Sequence, residues 1–535
     1  MISSASDLYR RSISEKYKKY FTQAEDIYNT YARYSMIDQT CHSSSASKQW
    51  ENGVAGVPIL WTPSTKTVYI DSTDTHTLVV GPTGSKKSRL IAMPLVRILG
   101  SAKENMIISD PKSEIYSRTA TYLHNQGYNI YVLNLRNPSS GDSWNPLAIP
   151  YRYYLSGNVD KAYEFINDIS ENLTHNTNSS GDPFWENSAA TLFFGLTVLL
   201  FKYCKEKNLS DEYVTISNID ALRHQLLSQS PREARDNPSI LWRYAKEDPI
   251  VAANLVGTIE TAEDTRGGIV SVFSQMLRIF SIQPNLMDML SNSSVDLDHM
   301  EDTPTAIFMI LPDEKTGYHG IGSLFIKQSY EYLIYLAQKD HYQNGKIASL
   351  KRRVNYIVDE FASLPTINDF PALITAARSR NIRFILLVQS KHQLIQRYKE
   401  EADTIMTNCS NWIILTSREQ SFLEELSALS GKTSTTPQLS VIPPETIQRL
   451  DKDTGEALIF LARKRPLISH IPDIEKYDDN HYEYLPIVKR NPLAVEPLHF
   501  FEEEEMRERE EKEKKRKEQF DRLRFFQENS VNDDN

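Results

Sequence analysis

Apolar residues in this chain come in short runs separated by longer amphipathic stretches, and the two kinds alternate. Thr77–Val80 (TLVV), Met106–Ser109 (MIIS) and Asn129–Asn134 (NIYVLN) read as buried strands. Val57–Trp61 and Thr67–Ile70 are shorter strands that lead into them. The series resumes at Thr305–Leu311 (TAIFMIL) and continues through Val354–Asp359 (VNYIVD), Phe384–Gln389 (FILLVQ) and Trp412–Leu415 (WIIL). Runs that are apolar throughout suit central parallel strands, which are buried on both faces. Helical stretches such as Ile321–Gln338 lie between them, so the pattern predicts βαβ units and an α/β fold with a mostly parallel sheet. Asp110-Pro111, after the second of these strands, reads as the N-cap and first residue of a helix.

Between 151 and 262 the strands stop. Asp160–Leu173, Glu186–Cys204, Ser217–Leu227 and Ile240–Thr258 all carry helical periodicity, which predicts an all-α insertion. Gly267–Phe280 is a further apolar helix. The resulting plan has an N-terminal helical segment over 1–50 and an α/β domain in two pieces, 51–150 and 263–490. The all-α domain at 151–262 interrupts it, and a tail follows at 491–535. Residues 4–35 read as one or two exposed helices, with Tyr17, Tyr20, Tyr28, Tyr31 and Tyr34 near helical spacing. Residues 41–53 are a Ser-rich linker. From Glu502 to Arg524 the tail is almost all Glu, Lys and Arg, in a pattern rich in i,i+4 pairs, and predicts a charged helix fading into disorder.

Composition narrows the class. Hydrophobic content of 40% and charged content of 24% are those of a soluble globular protein, and 535 residues suffice for two or more domains. The net charge of −10 excludes a generally basic nucleic-acid coat and leaves room for a local basic channel. Cys41, Cys204 and Cys409 have no metal-ligand spacing and read as reduced thiols. The longest apolar run, Ala189–Phe201, is shorter than the roughly 20 residues of a membrane helix and reads as a buried helix. The expectation is a cytoplasmic protein with no membrane span of its own.

The chemistry concentrates at HTLVVGPTGSKKSRLI, residues 76–91. A strand, a glycine-containing turn, Lys-Ser and a helix make the context of a phosphate-binding P-loop. Backbone N–H groups and the helix N-terminus face the anion, Lys87 adds a positive charge, and the Ser88 hydroxyl can hold Mg²⁺. The pattern G-x-x-x-x-G-K-[ST] is met at Gly81, Lys87 and Ser88 and broken at the second glycine, where this chain has Lys86. The expected nucleotide contacts are Gly81, Thr83, Gly84, Ser85, Lys86, Lys87, Ser88 and Arg89. A second signal is the strand-final Asp359-Glu360. The first acid suits a Mg²⁺ shell and the second a general base for water. Gln389, ending the next strand, suits a γ-phosphate sensor. Arg378 and Arg380, in TAARSRN, suit an arginine finger acting across a ring interface.

Together these segments resemble the TraG/TraD-like coupling proteins of conjugation and type IV secretion, relatives of the FtsK/HerA translocases. The likeness covers most of residues 55–480. It is carried by GPTGSKKSRLIAMP with its Pro94, by ISDPKSEIY with Ser113 in place of a family glycine, and by LNLRNPSSGDSWNPL. The most specific stretch is IVDEFASLPTINDFPALITAARSRNIRFILLVQSKHQL. DTIMTNCSNWIIL and PETIQRLDKDTGEALIFLARKRP also resemble family segments. The resemblance implies a RecA-like P-loop nucleotide-binding domain interrupted by an all-α domain that recognises substrate. It further implies ATP and Mg²⁺ as cofactors and a homo-hexameric ring. The implied partners are DNA, a relaxase or protein effector, and a secretion-channel or membrane-anchoring protein that recruits the ring to the inner face of the membrane. Matching by position makes Lys87 and Ser88 the phosphate and Mg²⁺ residues. On the same basis Asp359 is the metal residue, Glu360 the base, Gln389 the sensor and Arg378 the finger. Lys86 departs from the family, placing a side chain where glycine lets the backbone approach the phosphates and adding a charge that offsets this by meeting phosphate. The alternative function is a substrate-recruiting scaffold that hydrolyses ATP poorly or not at all.

Overall fold

The computed structural model describes residues 27, 30–42, 55–175, 182–281, 283–339, 348–432, 440–477, 483–492 and 497–530. Among them are thirteen strands in two sheets. β1 (Ala32–Ser35), β2 (Thr40–His42), β3 (Val57–Thr62) and β4 (Thr67–Asp71) form a small antiparallel sheet in the order β2-β1-β4-β3. The large sheet holds β5 (Thr77–Val80), β6 (Asn105–Ser109), β7 (Asn129–Asn134), β8 (Thr305–Ile310) and β9 (Val354–Val358). It is completed by β10 (Ile382–Val388), β11 (Asn411–Ile414), β12 (Glu456–Phe460) and β13 (Leu467–His470). Its order is β13-β12-β11-β5-β10-β9-β6-β8-β7. The run from β11 to β7 is parallel throughout, and β12 and β13 add antiparallel strands at one edge. This is the α/β class with a mostly parallel sheet that the apolar runs predict. β5, β6, β8, β9 and β10 are buried at every residue.

Three expectations need correction. Ala32–Ser35 is a strand, not part of an exposed helix: Ala32 and Tyr34 point into the core and Arg33 out, a spacing of two rather than of three or four. Thr40–His42, read as the start of a linker, is its hairpin partner. Tyr17, Tyr20, Tyr28 and linker residues 43–53 lie outside the described residues. The helix after β6 starts at Glu114, not at Pro111. Ser113 precedes it with a left-handed backbone at φ 59°, and the Asp110 carboxylate accepts the Tyr116 N–H at 2.8 Å. Asp110 therefore caps this helix from outside its first turn.

By packing, the chain divides into two compact units, Met1–Ser143 with Ser294–Asn491 and Trp144–Ser293 with Pro492–Asn535. The second unit is all helix and wider than 151–262, because Ala148–Leu155 and Glu263–Ser281 pack on its central helix, Pro183–Glu206. Capping explains how these helices start. Asp182, Thr215, Ser230, Ser239 and Asp248 each accept a backbone N–H with the side chain, and Ser230 with Glu233 forms a reciprocal capping box. Pro183–Glu206 is long and apolar enough to cross a membrane by length and composition, and 56% of that window is buried inside the protein. The tail belongs to this unit. Phe500 is buried against Tyr203, with ring centroids 4.9 Å apart, and Glu504 and Glu508 of the following helix, Glu502–Ser530, pair with Lys207 and Arg243.

A buried polar cluster joins the strands of the large sheet near their N-terminal ends. Glu104, just before β6, lies 3.8 Å from Arg353 and 3.4 Å from Arg383 of β10. Asn355 of β9 donates to the same Glu104 carboxylate at 2.9 Å and accepts from Arg383 Nε at 2.8 Å. The guanidinium groups also donate to the Ser72 and Thr73 carbonyls. Burial pulls the Arg383 guanidinium down to about 10. Arg383→Met leaves Glu104 buried with one guanidinium partner fewer. It should destabilise the sheet unit by about 3–5 kcal/mol, the cost of breaking a buried pair by removing one side. Thermal unfolding followed by circular dichroism checks this, and an unchanged transition would show the cluster to be dispensable.

Candidate active site

β5 is followed at once by a turn whose shape depends on its small residues. A Cβ on Gly81 would come within 2.5 Å of Ser85 Oγ, and Gly84 has φ 80°. Lys86 also lies in the left-handed region, at φ 66°, where a side chain costs about 1–3 kcal/mol. The chain then enters a π-helical turn, Ser88–Ala92, which runs on into the helix Met93–Ser101. Pro94 accounts for the wide turn: it has no N–H to give to the carbonyl four residues back and its ring presses on that turn. The loop is anchored by the Gly81 N–H on Val388 O at 3.1 Å, so the start of the P-loop hangs on the end of β10.

The ends of β5, β10 and β9 bring five side chains together. Lys87 is buried, with Nζ donating to Gly81 O at 2.7 Å and lying 3.7 Å from Glu360 Oε1. Ser88 Oγ donates to Asp359 Oδ2 at 2.7 Å. Gln389 Nε2 donates to Glu360 Oε2 at 2.9 Å. Glu360 has a left-handed backbone, φ 55°, and its N–H is taken by the Asp359 carboxylate at 3.0 Å. Burial raises the Asp359 carboxyl, opposed by the hydrogen bond from Ser88. Asp110, ending the neighbouring β6, is a second buried carboxyl that sequence reasoning used only as a helix cap. Burial pushes it up to about 7, and the charge of Asp359 adds to the effect.

Other expected residues are engaged elsewhere. Arg89 is paired with carboxylates. Its guanidinium is held by Asp473 at 3.0 and 2.8 Å and by Glu475 at 2.6 Å, so it ties the P-loop helix to the segment after β13. Lys86 does not meet Lys87 or Glu360; its Nζ donates to Asp453 Oδ1 at 2.8 Å. Arg378 lies in the short helical turn Arg378–Arg380 that precedes β10, paired with Asp74 at 2.9 Å. Gln389 follows the other end of that seven-residue strand, roughly 20 Å away at 3.3 Å per residue. Arg378 thus lies far from the P-loop of its own chain. Thr83 sits at the exposed tip of the turn, and the Ser85 hydroxyl is buried with no hydrogen-bond partner among the described residues. The carboxylates that hold Lys86 and Arg89 have no motif of their own. Only the folded β12–β13 hairpin brings Asp453, Asp473 and Glu475 to the P-loop.

The family model described as "Type IV secretory system Conjugative DNA transfer" matches residues 23–519. No curated protein matches the chain. Among solved structures, the unbound monoclinic form of the bacterial conjugative coupling protein TrwBdeltaN70 is similar at 16% identity and a TM-score of 0.50, over 81% of this chain and 90% of that one. That is a likeness of fold. The plasmid coupling protein TrwB in complex with the non-hydrolysable ATP analogue ADPNP gives a TM-score of 0.48 at 14% identity, over 83% of this chain and 98% of that one. Its complex with ADP and Mg²⁺ gives 0.47 at 15%, over 78% and 87%.

The backbone at Lys86 can be tested without any ligand. Lys86→Gly and Lys86→Ala both lose the Asp453 contact, so that contact drops out of their difference. Glycine should be the more stable by about 0.5–1 kcal/mol, after allowing for its larger unfolded-state entropy. Denaturant midpoints of the two variants decide it, and alanine equal to or above glycine would mean that the loop is not strained.

Proposed function

The chain belongs to the type IV secretory system conjugative DNA transfer family, and we propose that it is an ATP-binding motor or gate that recruits DNA–relaxase or protein substrates and delivers them to a secretion channel. The observation that carries this reading is the single network of Lys87, Ser88, Asp359, Glu360 and Gln389 at the ends of three adjacent parallel strands. Strand ends of this kind are where open α/β sheets bind ligands.

The residues fit a Mg²⁺-nucleotide. Ser88 and Asp359 place two hard oxygen donors in contact, Lys87 is a buried cation at the helix start, and the Ser85 hydroxyl awaits a partner. No cluster of three or more His, Cys, Asp or Glu able to hold a metal occurs among the described residues. A Mg²⁺ held here therefore relies on Ser88, Asp359 and the phosphates. Bound Mg²⁺ draws charge from the phosphate oxygens. Glu360 takes the proton of the attacking water, while Lys87 and Gln389 hold its carboxylate in place. Gln389, between Glu360 and the P-loop strand, senses the terminal phosphate. The all-α unit recognises substrate. The ring is a homo-hexamer at the inner face of the membrane, held there by channel or anchoring partners.

The scaffold alternative is favoured by one observation, the left-handed backbone of Lys86. Measured turnover separates the two readings. Glu360→Gln should keep nucleotide binding and lower hydrolysis by about 10²–10⁴, because an amide cannot accept the proton. Hydrolysis that survives this change would remove Glu360 from the mechanism. A wild type that binds ATP without turnover, with or without DNA, would establish the scaffold.

Arg378 is the proposed trans-acting finger. Its place beyond the far end of β10 keeps it from its own nucleotide and leaves it for a neighbour's, once it parts from Asp74. Arginine fingers contribute about 10³–10⁵ in rate. Arg378→Ala subunits mixed with Glu360→Gln subunits should regain part of the lost activity at mixed interfaces. No rescue at any ratio, in rings shown to be mixed, would assign Arg378 to the Asp74 pair alone.

A further inference from the structure

Two lysines follow one another in the P-loop, and the structure gives them different partners. We propose that Asp453 competes with the nucleotide phosphates for Lys86. Binding then exchanges the Lys86 ammonium from a carboxylate to a phosphate, and this exchange sets the affinity. The proposal rests on the nucleotide-binding reading above.

The pair is well formed. Lys86 Nζ donates to Asp453 Oδ1 at 2.8 Å, and the ammonium holds the Asp453 carboxyl below the usual carboxylate range. Asp453 is itself exposed, yet the turn that presents it is built. Its N–H donates to Asp451 Oδ1 at 2.9 Å, and the Asp451 N–H donates to Glu456 Oε2 at 2.9 Å. Thr454 Oγ1 and the Glu456 N–H both donate to the Asp451 carbonyl, at 3.2 and 2.9 Å. The backbone that presents the carboxylate to Lys86 is therefore ordered by its own turn.

A parallel contact supports the same reading. Asp473 and Glu475, on the other flank of the β12–β13 hairpin, hold Arg89 one turn further along the P-loop helix. Carboxylates flanking one hairpin thus engage two P-loop cations and leave Lys87 to Gly81 and Glu360. Of these two cations, Lys86 is the one inside the phosphate-binding turn. Its carboxylate partner is solvent-exposed, so the pair is weak enough to exchange. A phosphate group with more charge and more acceptor oxygens displaces a single screened carboxylate. The strained backbone at Lys86 also finds a role here, since a glycine in its place would have no side chain to exchange.

The test is calorimetric titration of ADP with Mg²⁺ into the full chain as wild type, Asp453→Asn, Lys86→Met and the double variant. Asp453→Asn should tighten ADP binding by about 1.5- to 5-fold, the range expected for releasing an exposed ion pair. In the Lys86→Met background the same change should do nothing. Unchanged or weaker binding in Asp453→Asn overturns the proposal. Equal tightening in both backgrounds also overturns it, because Asp453 then acts through its charge alone and not through Lys86. If neither wild type nor Lys86→Met binds ADP, the nucleotide-binding reading fails, and the proposal with it.

Discussion

The site depends first on the register in which β10 lies between β5 and β9. Val388 pairs with Val80 on one side, and Leu386 with Val358 on the other. With that alignment the ends of β5, β10 and β9 lie within two residues of one another, and Gln389 reaches Glu360. A slip of one residue would turn every side chain of β10 to the opposite face and break the Gln389–Glu360 contact. The β10 sequence IRFILLV is nearly all apolar and does little to choose between registers, because both faces are buried. Arg383 makes the choice. It is the one charged residue on the strand, and only one alignment brings it to Glu104 and Asn355. A buried ion cluster at one end of the sheet thus fixes the geometry of the chemistry at the other.

The second constraint is backbone strain gathered around the site. Lys86 and Glu360 at the site itself, and Ser113 near Asp110, all have φ between 55° and 66°. Strain of this kind persists only where surrounding contacts impose it. At Glu360 the imposing contacts are the Asp359 carboxylate on its N–H and Gln389 on its side chain. At Ser113 it is the turn between Asp110 and the helix that Asp110 caps. Two of the three are the positions where the resembled family has glycine. At both, this chain holds a left-handed backbone without the residue that makes it easy.

Much of the fold is legible in the sequence because buried parallel strands are written as local apolar runs. The seven parallel strands of the large sheet each overlap such a run, with starts off by up to two residues, as at β10. What escaped notice was antiparallel and short. β1 and β2 have four and three residues, and β12 and β13 carry only a weak alternation. β2 and β13 are edge strands with one side exposed, and β1 is too short for its alternation to stand out. The site divides along the same line. Asp359, Glu360 and Gln389 directly follow β9 and β10, and Lys87 and Ser88 follow the turn after β5, so their meeting follows once the strands are ordered side by side.

The partners that decide how the P-loop cations behave are of another kind. Arg89 follows Lys87 and Ser88 on the same helix and looks like one more phosphate ligand when read along the chain. Its guanidinium instead serves Asp473 and Glu475, which lie nearly four hundred residues away in sequence. A carboxylate on a turn carries no pattern that points to its target, whereas a strand-final acid inherits its direction from the sheet. Charge neutralisation therefore has to be read in three dimensions. In this protein it alters the meaning of a motif read in one dimension: of the three cations in Lys86–Arg89, only Lys87 has no carboxylate from the flanks of the β12–β13 hairpin on it.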